Sequence, residues 1–214
     1  MKLINRSWLQ RPILLLLRLV LLLLAVLTVQ IILVSASIGL AKSSGDLNTD
    51  NAWLQVAKTL SYSNPDVAEL EARALRSSAA NHWGSQEVAQ AYLERSLLSW
   101  QQAISLRPQW PYYRLAAFDI EVLMSADDAV IQRRFDEIVT LAPNERGMDR
   151  VLLELALFSW PQLLQPQKNW VIARLAIVPR YTLKALYLSA KTVGREQLLC
   201  TFLPWGQVKH LCLN

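Results

Sequence analysis

The sequence predicts an all-α protein, with one N-terminal transmembrane helix followed by a degenerate helical-repeat domain. Three observations predict it. The run from Leu19 to Leu40 carries no charge over 22 residues. From Trp53 onward no period-2 alternation is sustained, while apolar residues recur at helical spacing, as in Val67/Leu70/Ala74 and Leu93/Leu97/Trp100/Ile104. A helix exit also recurs: AISLRPQWP at 103–111 is echoed by EIVTLAPNE at 137–145, where Leu141 and Pro143 repeat Leu106 and Pro108.

The apolar run is long enough to cross a bilayer, since at 1.5 Å per residue it covers roughly 33 Å. Lys2, Arg6, Arg11 and Arg18 precede it and only Lys42 follows closely, so the positive-inside rule puts residues 1–18 in the cytoplasm and the rest outside. Arg18 interrupts the apolar stretch begun at Ile13 and can snorkel to the cytoplasmic interface. A cleaved signal peptide with small residues at Gly39-Leu40-Ala41 is the rival reading, against which the length of the run argues. Residues 41–52, AKSSGDLNTDNA, have the small, polar composition of a flexible tether, and residues 53–214 form the helical-repeat domain.

Composition narrows the function. Apolar residues make up 53% of the 214 and charged ones 18%, which excludes a disordered chain. The net charge of +5 belongs to the leader: without its four basic residues, 18 of the 22 remain against 17 acidic ones. A nucleic-acid footprint is therefore absent. The two histidines, His82 and His210, lie far apart and beside no motif, and no nucleophile elbow, zinc-binding or phosphate-loop pattern occurs. No catalytic, cofactor-binding or metal residue is expected. The paired acids Asp127-Asp128 and Asp136-Glu137 read as a helix start and a mixed charged face.

Helix boundaries are legible. Asn64-Pro65 offers an N-cap before a first-turn proline, and Ser125-Ala126-Asp127 ends one helix and starts the next. Most remaining prolines should mark helix starts, because an interior proline loses a hydrogen bond. VLLELALFSW at 151–160 has Glu154 as its sole charge and reads as a central helix, with a partner-facing helix as the other reading.

The period extends further. Trp100, Phe135 and Trp170 are successively 35 apart, as are Ala103, Ile138 and Ala173, and Pro108 and Pro143 are followed by Pro179, slipped by one. An aromatic, a small or aliphatic residue three later and a proline five beyond it resemble the end of the second helix of a tetratricopeptide repeat. The resemblance covers roughly residues 85–179, with an irregular helical bundle as the alternative. First helices repeat poorly, with Asp119 standing where Gly84 would repeat.

The segments 99–123, 133–164 and 195–200 resemble the VpsP-type polysaccharide biosynthesis proteins. The elements carrying the likeness are Leu106 to Tyr112, Leu141 to Pro143, Trp160 to Leu163 and Leu198 to Cys200. It covers about half the chain and is departed from at Asn144-Glu145-Arg146 and in the tail after Cys200. The resemblance implies a bacterial inner-membrane protein with a periplasmic domain, acting with the proteins of a polysaccharide polymerisation or export machinery. It carries over no catalytic residue and no cofactor.

Two local features are candidate sites. The turn holding Arg107, Trp110, Tyr112, Tyr113 and Arg114 combines aromatic and basic residues suited to a protein partner or a glycan, with a packed aromatic turn as the plainer alternative. Cys200 and Cys212 admit either a disulfide closing a small terminal loop or two buried thiols.

Overall fold

The computed structural model describes the backbone of residues 7–44, 48–61 and 63–213, with side chains from Leu14 onward. The described residues are helical throughout, without a strand. The elements are α1 Ser7–Ser43, α2 Ala52–Leu60, α3 Pro65–Asn81, α4 Gln86–Leu106, α5 Pro111–Leu123 and α6 Asp128–Leu141. They continue with α7 Asp149–Phe158, α8 Gln165–Leu175, α9 Arg180–Thr192, α10 Glu196–Phe202 and α11 Trp205–Cys212, and short 3-10 turns precede and follow α7.

Helix α1 is long and apolar enough, from Leu14 to Ser43, to cross a membrane. Its side chains divide sharply. Every residue from Leu14 to Leu33 is exposed, and burial begins at Val34 and recurs at Ser37 and Ala41. That spacing is one helical face. Val34 packs with Ala57 and Val67, and Ala41 with Leu54, Leu70 and Ala74. The expected tether over 41–52 is corrected here. Ala41–Ser43 finish α1, residues 45–47 lie outside the described residues, and Asn51 caps α2 by accepting from the Trp53 and Leu54 amides. The Asn51 side-chain amide also donates to Ser44 Oγ at 2.9 Å. The folded domain thus begins within α1, not near Trp53. Hydropathy could not separate the two parts of α1, because an exposed valine and a valine packed against a helix score alike.

Downstream boundaries follow the capping chemistry. Asn64 accepts from the Asp66 amide at 2.9 Å, with Pro65 at the first position of α3, and Pro111 opens α5 in the same place. Pro108 and Pro143 instead stand in turns just past α4 and α6. Helix α5 ends in a Schellman motif with Ser125 at φ 53°, where the Ala126 amide reaches Glu121 O at 3.0 Å. Helix α9 ends in the same motif with Gly194 at φ 66°.

Two large clusters form the core. Trp100, Ala103, Tyr113 and Ile120 join α3, α4 and α5. Phe118, Phe135, Ile138, Leu153 and Val171 join α5 to α8 and extend to α9, α10 and α11. Helix α7 is buried on most sides, through Leu152, Leu153, Leu155, Ala156 and Leu157, as expected of a central helix. The 35-residue phase holds for Ala103 and Ile138, both fully buried. It fails at Ala173, which is exposed. There Val171 and Arg174 take the buried positions, one residue later, in step with the slip of Pro179.

Cys200 and Cys212 are bridged, with Cα atoms 6.0 Å apart, which ties α10 to α11. Replacing both with serine is expected to remove about 3 kcal/mol of stabilisation, the loop-closure value for a loop this short. The check is the urea midpoint of the full-length protein in detergent micelles.

Candidate functional site

A groove of about 560 Å³ is walled by α3, α4, α5 and α7. Arg73 and Arg76 line it from α3, Trp100 from α4, Tyr112 and Asp119 from α5, and Glu154 and Phe158 from α7. Asp119 of α5 and Glu154 of α7 are 35 residues apart, and both line the groove.

Trp100 is the floor. Its ring packs against Tyr113, centroids 5.9 Å apart, and the Arg73 guanidinium lies 5.8 Å from its centroid. Its indole Nε1 is buried and, among the described residues, finds no acceptor. A buried N–H without a partner costs about 1–3 kcal/mol. The cations beside it are partly committed: Arg73 reaches Glu69 at 2.9 Å, and Arg76 grips Asp119, with Nη2 3.3 Å from Oδ1. Apolar walls and two half-exposed guanidinium groups suit a peptide segment offering carbonyl or carboxylate oxygens.

The aromatic-basic turn is dispersed by the fold. Trp110 is 48% exposed and stacks on Tyr112 at 5.3 Å. Tyr113 is 2% exposed and belongs to the core, so its place on a partner or glycan surface is corrected. Burial, with Glu69 close by, raises its phenol above the ordinary value. Arg107 Nη1 donates to Asp66 Oδ1 at 3.0 Å, and Arg114 donates to the Pro108 carbonyl while facing Glu137. These two arginines hold the turn to α3 and α6. A helix of period 3.6 turns Tyr112 and Tyr113 to different sides, which adjacency in sequence conceals.

The remaining polar residues have structural work. His82 Nδ1 lies 2.8 Å from the Ser78 carbonyl at the end of α3, and His210 is exposed. Asp127 stands at the N-cap of α6, and Glu137 engages Arg133 and Arg134. Among the described residues no cluster of three His, Cys, Asp or Glu side chains is placed to hold a metal ion.

Sequence reasoning missed Arg73, Arg76, Asp119 and Glu154 as groove residues. The signal was present in the 35-residue interval between the two acids. Comparison with protein-family models, with characterised proteins and with solved structures finds no match to this chain.

Proposed function

We propose that this chain is a membrane-anchored, tetratricopeptide-like adaptor in bacterial surface polysaccharide assembly, and that its groove takes up a segment of a partner protein. The observation that carries the binding role is the groove walled by α3, α4, α5 and α7, lined by apolar side chains and by the half-exposed Arg73 and Arg76. Stacked helix pairs present such grooves to extended or helical segments. The tetratricopeptide-like reading is supported by the buried small or aliphatic residues Ala103 and Ile138 and by the turns at Pro108 and Pro143.

The anchor reading draws on the exposed apolar run of α1, and the basic residues ahead of it support a domain outside the cytoplasm. A bridged Cys200–Cys212 pair suits that oxidising side of the membrane. The polysaccharide context rests on the resemblance to VpsP-type proteins alone. The adaptor is non-catalytic in this reading and needs no cofactor.

The test is affinity capture of the full-length protein from gently solubilised native membranes. Phe158→Ala removes apolar lining from α7, and Arg73→Ala with Arg76→Ala removes the exposed cations. Each is expected to weaken the captured partner by about 1–2 kcal/mol, roughly tenfold. Undiminished capture by all groove variants would overturn the groove as the binding site. The glycan reading keeps one observation, the exposed Trp110 stacked on Tyr112. Retention of polysaccharide without a protein partner, lost in Trp110→Ala, would favour it.

A further inference from the structure

The packing of α1 assigns a height above the membrane to the turns of the domain. This step rests on α1 being a membrane anchor. From Leu14, the first residue whose side chain is described, to Leu33 every side chain is exposed, and Arg18 within that run can snorkel to the cytoplasmic interface. At its end the domain begins. The Gln30 side-chain amide donates to the Leu60 carbonyl at 2.7 Å, and Val34 packs with Ala57 and Val67. Helix α2 therefore runs back toward the lipid, and α3 starts at the level where lipid exposure stops.

Asp66 precedes Val67 and receives Arg107 at 3.0 Å and the Tyr113 hydroxyl at 3.5 Å. These contacts bring the turn after α4 down to the same level. Ionised Asp66 and Arg107 exclude that level from the hydrocarbon, so the outer edge of the span falls near Leu33 and not at Leu40. At the tip of the turn stands Trp110, 48% exposed, with Leu106 38% exposed beside it. A half-exposed tryptophan next to a leucine and an arginine is the side-chain chemistry of a membrane–water boundary.

We propose that the Leu106–Trp110 turn rests in the headgroup layer of the bilayer that α1 crosses, as a second point of attachment. The occupant of this surface is phospholipid at the boundary between headgroup and acyl chain, taken up by the Trp110 ring. Two points of contact hold the α3–α5 part of the domain at a set orientation, and with it the groove. The opposite end of the same helix pair supplies a control. Trp83, 60% exposed, lies in the turn after α3, whose 17 residues place it about 25 Å farther from the lipid.

The experiment reconstitutes the full-length protein into phosphatidylcholine–phosphatidylglycerol vesicles, with and without chains brominated near the ester linkage, and records tryptophan emission. Trp110→Phe is expected to lose the share of quenching carried by one of the eight tryptophans, and Trp83→Phe to lose none of it. Circular dichroism checks that both variants fold. Equal quenching in the wild type and Trp110→Phe, with the protein still floating with the vesicles after carbonate washing, overturns the turn contact and leaves the anchor standing. Release of the wild type by carbonate overturns the anchor reading and this inference together. An oligosaccharide that shifts Trp110 emission in the absence of bromolipid quenching also overturns the lipid contact.

Discussion

Phe135→Ala is expected to lower the stability of the domain by about 3–5 kcal/mol, the range for deleting a buried phenylalanine. Phe135 is fully buried on α6 and makes edge contacts with Phe118 of α5 at 6.4 Å and Trp170 of α8 at 5.6 Å. The ring therefore joins α5, α6 and α8, and its neighbours cannot close the void without moving α5 against α8. The loss should spread beyond α6, since the ring contacts side chains of both α5 and α8. Urea unfolding of the full-length protein in micelles measures it. Leu98→Ala, at a side chain 64% exposed on α4, is the matched control and should change the midpoint little. Equal effects from the two variants would show that the α5–α6–α8 core is not where the stability lies.

The second large effect is expected from Glu121→Ala, at about 3 kcal/mol, because it strands a buried cation. Arg134 is 9% exposed and Glu121 3%, and the guanidinium meets the carboxylate through Nε at 3.1 Å and Nη2 at 2.8 Å. Burial alone would depress the Arg134 pKa, but the Glu121 and Glu137 carboxylates outweigh it and raise it above the ordinary value. Glu137, at 2.7 Å on the more exposed side, compensates Arg134 in part when Glu121 is removed. The double variant Glu121→Leu with Arg134→Met should recover most of the loss, since a buried ion pair exchanged for apolar residues is often neutral or better. Failure of that rescue would mean the pair supplies more than mutual compensation. Arg174 and Asp149, both buried and 2.6 Å apart, tie α8 to α7 in the same way.

Much of the local structure was legible in the residues. Asn64-Pro65 encodes the start of α3, Pro111 that of α5, and Asp127 that of α6, because caps and proline act within a turn of their own position. The 35-residue interval located Ala103 and Ile138 at buried positions for a similar reason, since a helix face is set by its own periodicity. The same interval misplaced Ala173, where a single-residue slip rotates a side chain by about 100° and moves it from core to solvent.

What lay outside the sequence alone is everything decided by a partner far along the chain. The apolar character of α1 was plain, but the point at which it turns from exposed to packed depends on α2 and α3 folding back upon it. Arg107 and Arg114 looked available beside Trp110, and only Asp66, 41 residues away, and Glu137 show them engaged. The groove required α3, α5 and α7 to converge on Trp100, whose indole N–H is left over by that convergence. Spacing and capping are properties of a few adjacent residues and were read directly. Burial, ion pairing and concavity are properties of helices crossing in space, and the tertiary structure alone decided them.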